Sequence, residues 1–170
     1  VTDNLYLAAN TLTQRMEGPE CSGIVKMDIS HMKDGDIAGF SAFNGDAGVV
    51  KIVKDGKKVF VVADSQNVEL TDKEKKVTKV DVTESYRQQL RKQKEIYFRI
   101  DANFRPGKDV ADFYYSTDGK DWVKVLEGYK MIFDYRRFFM GSKFAIFNYA
   151  TKKTGGYVDI DWFNYSKSEK

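Results

Sequence analysis

The chain has 170 residues, 28 Lys and Arg against 25 Asp and Glu, and a formal charge of +3. That length suits one domain with a core large enough to need no metal or disulfide staple, and so mild a charge implies neither a nucleic-acid partner nor a membrane surface. A single cysteine, Cys21, and a single histidine, His31, exclude an internal disulfide and leave zinc or copper almost nothing to bind.

No basic segment followed by an apolar stretch opens the chain, and no apolar run approaches membrane-spanning length. The start, NLYLAANTLTQRM, is already strand-like and reads as a piece cut at a domain edge. Leu5 and Leu7, then Leu12, Gln14 and Met16, form two short alternating runs closed by Gly18-Pro19. Ser22 to Ser30 alternates with Val25, Met27 and Ile29 inward and Lys26 and Asp28 outward, which is a half-buried strand. Lys33-Asp34-Gly35-Asp36 is a turn. Ile37 to Asn44 is the next strand, with Gly39 where close packing leaves no room for a Cβ. Gly45 and Gly48 read as loop punctuation. Val49 to Val53, Asp55-Gly56 and Val59 to Ala63 make the clearest hairpin, because Asp-Gly supplies the positive φ that a tight turn demands.

From Asp64 to Lys94 the chain is polar and nearly free of aromatics. Val77, Val80 and Val82 suggest a weak strand there, and Tyr86 and Leu90, four apart, suggest a short helix over Glu84 to Gln93. The lysines and arginines of this stretch are diluted by acids and lack interleaved rings, so they read as a solvated face. Strict alternation returns at Glu95 to Asp101 and again at Val110 to Ser116, and Ser116 to Trp122 is a tight hairpin. Two aromatic-rich runs, Ser142 to Tyr149 and Tyr157 to Tyr165, follow around Gly155-Gly156. Apolar groups on both their faces predict a central strand pair at the heart of the core, Trp162 included. Many short strands and turn signals give an all-β jelly-roll β-sandwich.

The chemistry-bearing motifs are few. There is no phosphate-cradling glycine loop, no CxxC, no HExxH and no GxSxG, and Cys21, without a nucleophile motif around it, reads as a plain small side chain. Paired carboxylates stand at Asp34 and Asp36, Asp118 and Asp121, and Asp159 and Asp161. The first two pairs sit on tight turns, where Asp serves the backbone. Asp159 and Asp161 alternate within a strand otherwise rich in aromatics. Buried there they need a partner: calcium, a hard ion suited to carboxylate oxygens, is the candidate structural metal, and the favoured alternative is hydrogen bonding to turn amides or one exposed and one paired carboxylate. Tyr97, Arg99 and Asp101, with Tyr114 and Tyr149, form a candidate sugar-binding face, because rings meet sugar C–H groups while Arg and Asp address hydroxyls.

The segments LTQRMEGP (Leu12 to Pro19), DGDIAGF (Asp34 to Phe40), IYFRID (Ile96 to Asp101), ADFYYSTDGKDW (Ala111 to Trp122) and FFMGSKFAIFNYATKKTGGYVDIDWFNY (Phe138 to Tyr165) occur in this order. Together they resemble the C-terminal concanavalin A-like module of family 43 glycoside hydrolases, the bacterial β-xylosidases and α-L-arabinofuranosidases. The resemblance covers Asn10 to Tyr165, and the Asp64 to Lys94 region carries none of it. It implies a concanavalin A-like sandwich that is accessory rather than catalytic, with the acid and base carried by a separate five-bladed propeller of the same parent chain. It further implies that Phe139, in Phe139-Met140-Gly141, reaches the mouth of that propeller's active site. A bacterial periplasmic or extracellular address is favoured by the resemblance, although one cysteine alone would suit the cytosol equally. Two other readings stay open: a free-standing carbohydrate-binding, lectin-like domain, and an independent glycosidase with two carboxyls about 5–9.5 Å apart.

Overall fold

The computed structural model describes residues 1–71, 76–131 and 141–168. Among these, a 3-10 turn at Leu5–Leu7 precedes the strands β1 (Thr11–Arg15), β2 (Glu20–Asp28), β3 (Asp36–Asn44), β4 (Asp46–Asp55), β5 (Lys58–Leu70), β6 (Val77–Leu90), β7 (Glu95–Asn103), β8 (Val110–Ser116), β9 (Val123–Lys130), β10 (Lys143–Ala150) and β11 (Asp159–Lys167). They form a six-stranded sheet in the order β1-β10-β3-β4-β5-β6 and a five-stranded sheet in the order β11-β2-β7-β8-β9. All nine pairings are antiparallel. This is the all-β sandwich that the alternation predicted.

Alternation decides which residues meet between the sheets. On β2 and β7 every second residue is buried, so Val25, Met27, Ile96, Phe98 and Ile100 face inward and the opposite side is solvated. From the other sheet come Phe40, Val50, Ile52, Val61 and Phe144, all in the same core. Phe40 and Phe144 stack at 5.5 Å, and Phe163 of β11 closes on both at 5.8 and 6.2 Å. Burying a ring of this size contributes about 1.5–3 kcal/mol. The six-stranded sheet differs on its outer side. Its middle strands β3, β4 and β5 are buried on both faces, and a second cluster of Leu5, Ala47, Val49, Phe147 and Tyr149 occupies that outer face.

Several expectations need correction. Glu84 to Gln93 contains no helix: Val77–Leu90 is one long strand hydrogen-bonded to β5. Residues four apart share a face in a strand as well as in a helix, so Tyr86 and Leu90 pack on the core from a sheet edge. Gly48 is not in a loop. It sits inside β4, where a Cβ would press into the rings of Phe113 and Tyr129 at 2.5 and 2.8 Å. Gly39 does sit at a close approach, and a Cβ there would collide with the backbone of Val50 and Lys51.

The last two strands are also not a pair. β10 lies between β1 and β3, whereas β11 is an edge strand of the other sheet, bonded only to β2. Its register slips between Ile160 and Trp162. One extra residue reverses the parity of everything beyond it. Ile160, Phe163 and Tyr165 therefore pack on the core while Trp162, expected inside, is 38% exposed.

Candidate functional site

The outer face of the five-stranded sheet gathers four of the five residues assigned to a sugar face. Tyr97, Arg99 and Asp101 are alternate residues of β7, so they project to one side, and β8 places Tyr114 directly across from Arg99. Arg99 Nε donates to Asp101 Oδ1 at 2.9 Å and a terminal nitrogen donates to Oδ2 at 2.8 Å. Ser22 Oγ donates to the same Oδ1 at 2.6 Å. The guanidinium lies 5.4 Å from the Tyr114 ring and 6.0 Å from that of Trp122. The hydrogen-bonded Asp101 raises the Arg99 pKa above its ordinary value, which keeps the cation fixed and charged.

Charge and ring alternate further along the strip. Lys26 bridges Asp161 at 2.8 Å and Glu95 at 3.2 Å, and its ammonium lies 5.8 Å from the Tyr97 ring. Tyr97 in turn lies 6.1 Å from Trp162. These contacts make a rigid ladder with one half-exposed indole, Trp162, at its end. Rings held this way offer flat apolar surface, and the acid–base pairs fix hydrogen-bonding groups beside them. Sequence reasoning missed Trp162, Trp122, Lys26 and Ser22. The indoles carried a composition signal, but the bulge that turns Trp162 outward leaves no mark in the alternation.

Tyr149 does not belong to this face. It is 8% exposed on β10 of the other sheet, stacked on Phe147 at 5.9 Å. Burial, with Asp64 and Asp3 nearby, raises its phenol pKa. Asp159 and Asp161 are not buried either. Asp159 is exposed and 3.9 Å from His31, and Asp161, at the bulge, is held by Lys26. The premise that called for calcium thus fails: each carboxylate meets solvent or a cation, and among the described residues no three acidic, His or Cys side chains come together in a way that could hold a metal. The donor set does not fit the ion.

The turn aspartates do backbone work. Asp118 Oδ1 accepts from the amides of Lys120 and Asp121 at 2.8 and 2.9 Å, and from Ser116 Oγ at 2.9 Å, which lowers its pKa. Asp34 accepts from the Gly56 amide at 2.7 Å and pairs with Lys152 at 2.8 Å. Cys21 is buried, and burial pushes its thiol pKa up, away from the thiolate that nucleophilic chemistry requires. Phe139 lies outside the described residues.

Comparison with known proteins agrees with this architecture. Residues 2–166 match the family described as the β-xylosidase C-terminal concanavalin A-like domain. A β-xylosidase of Formosa agariphila is 25% identical over 165 residues, covering 95% of this chain and 24% of its own length. A bifunctional GH43-CE protein of Bacteroides eggerthii superposes with a TM-score of 0.84 at 36% identity, covering 99% of this chain and 20% of its own. A family 43 glycoside hydrolase, engineered to display both endo-xylanase and exo-arabinofuranosidase activity, superposes with a TM-score of 0.82 at 29% identity, covering 92% of this chain and 30% of its own. The chain thus spans less than a third of the length of each of these relatives. Two antiparallel sheets in this order, matched over 2–166, place the chain in the concanavalin A-like C-terminal domain family of the family 43 glycoside hydrolases.

Proposed function

We propose that the chain is an accessory, non-catalytic module of a family 43 glycoside hydrolase acting on xylan- or arabinan-type hemicellulose. In this reading it packs on a catalytic propeller of the same parent chain, with Phe139 closing a subsite of that active site. The reading is carried by the family match over 2–166, together with relatives three to five times longer than this chain. The paired carboxylates support it, since Asp34 and Asp118 on turns accept from backbone amides and Asp101 and Asp161 on strands pair with cations. The family match favours this reading over a free-standing lectin-like domain. A parent enzyme working on a plant polymer fits a periplasmic or extracellular address.

The test has two arms. The 170-residue chain alone is expected to release no aryl group from aryl-xylosides or aryl-arabinofuranosides. In the intact enzyme, Phe139→Ala is expected to raise KM several-fold while the melting temperature stays within about 2 °C. Turnover by the isolated chain, or a loss of stability without a KM change, would overturn the reading.

A further inference from the structure

The outer face of the six-stranded sheet holds a polar cluster that the accessory role leaves unexplained. Lys51 on β4 and Asp64 and Gln66 on β5 are 8%, 1% and 4% exposed. Lys51 Nζ lies 2.5 Å from Asp64 Oδ2, and Gln66 Nε2 donates to Asp64 Oδ1 at 2.9 Å. Both carboxylate oxygens are therefore engaged. The ammonium, with three donors, and the Gln66 carbonyl oxygen keep hydrogen-bonding capacity.

Above this cluster opens a cavity of about 470 Å³, with Tyr149 completing its floor. The N-terminal segment at Leu7 forms one wall and Val80 and Val82 of β6 form the other. The lips are mixed: Leu7 is 56% and Val82 55% exposed, beside the polar Asp3, Asn4, Thr78 and Lys79, the last paired with Asp81. The volume falls within the roughly 300–1,000 Å³ of small-molecule sites. Stability gives a weak reason for such a floor, because a buried ion pair is often matched or bettered by apolar side chains of similar size. A ligand dense in hydroxyls gives a stronger one. It needs donors and acceptors already fixed in place, and apolar edges for its C–H faces. The paired charges cancel, so a neutral ligand suits the floor better than an ion. Tyr149, whose pKa burial raises, retains its proton and adds a donor.

We propose that this trough is a saccharide-binding site, separate from the ring-and-charge strip on the opposite face, and that it takes neutral pentose units of a hemicellulose chain. Lys51 and Tyr149 donate to ring hydroxyls, Gln66 accepts from one, and Leu7, Val80 and Val82 flank the ring carbons. The choice of a pentose rests on the function proposed above; the site itself does not.

The experiment is an amide NMR titration of this chain with xylotetraose and, separately, cellotetraose. Xylotetraose is expected to shift the amides of Lys51, Gln66, Val80, Val82 and Tyr149 and to leave the indole N–H signals of Trp122 and Trp162 in place. Gln66→Ala should weaken binding about three- to tenfold, the effect of one hydrogen bond. Val82→Arg, at an exposed lip that spares the core, should weaken it at least about tenfold by obstructing the trough. Absence of shifts with both sugars, or shifts confined to the two indoles, overturns the site. Equal responses to both sugars uphold the site but overturn the pentose assignment, and so bear on the functional reading alone.

Discussion

The two outer faces of this sandwich use the same kinds of side chain to opposite effect. On the five-stranded sheet, Arg99 and Asp101 are a pair with about a third of each side chain in water. On the six-stranded sheet, Lys51 and Asp64 are a pair with 10% and 2% exposed. Water screens the first pair, which is worth little to stability, roughly 0–1 kcal/mol. The second has given up its hydration and depends on its partner. An ion pair on a sheet face is thus an ornament or a commitment according to what covers it. The cover here comes from neighbouring elements, the N-terminal segment and β6.

The contrast breaks most sharply on single substitutions. Lys51→Met strands a buried carboxylate and is expected to cost about 3–5 kcal/mol, whereas the double change Lys51→Met with Asp64→Leu should recover most of that loss. Arg99→Ala should cost no more than about 1 kcal/mol. Urea denaturation of the three variants reads all of these, and a cost for Lys51→Met no greater than that for Arg99→Ala would erase the distinction. The bulge in β11 supplies the next test. Phe163→Ala should cost about 3 kcal/mol, at the low end for a core ring because Phe163 is only partly buried. Trp162→Ser, one residue away, should cost less than about 1 kcal/mol. Reversed magnitudes would mean that the parity change at Asp161 is wrong.

The smallest effects lie in the pH profile, which has an acid and an alkaline limb. Asp28, at the end of β2, and Asp118, on the turn after β8, have pKa values held below the ordinary 3.8 by hydrogen bonds, from Ser30 and from turn amides respectively. A lowered folded-state pKa gives stability that is present above the unfolded value and lost as pH falls through the folded one. Stability should therefore decline below about pH 4, and Asp118→Asn should flatten that limb. On the alkaline side, burial raises the Tyr149 phenol above its ordinary 10.0, and burial with the Tyr86 contact pushes Tyr115 up to about 12. The folded chain then holds protons that the unfolded chain releases, so stability falls as pH rises above about 10. Tyr149→Phe should soften that fall. Melting temperatures across pH 2–11 measure both limbs, and an acid limb unchanged by Asp118→Asn would remove the turn aspartate from the account.

Much of the succession of strands along the chain was legible in the residues, and the reason is periodicity. Strands buried on one side, such as β2 and β7, write their structure as alternation, and Asp55-Gly56 writes its turn in the one residue type that tolerates positive φ there. The shared side of Tyr97, Arg99 and Asp101 was legible for the same reason, since alternate residues must share a side, whereas Tyr114 of β8 joins them through strand pairing. Periodicity fell silent where a spacing fits two structures, as with Tyr86 and Leu90, and where one extra residue resets it, as at Asp161.

Sequence by itself determined the all-β class, most of the turns, the inward faces of β2 and β7, and the family likeness. Tertiary structure alone decided that the two closing runs belong to different sheets, that Trp162 faces water and Tyr149 does not, and that Lys51 and Gln66, both bonded to the buried Asp64, line one cavity. Those facts depend on contacts between strands far apart in the chain. A local pattern states which side of a strand a residue takes, but not which sheet the strand joins or what lies over it.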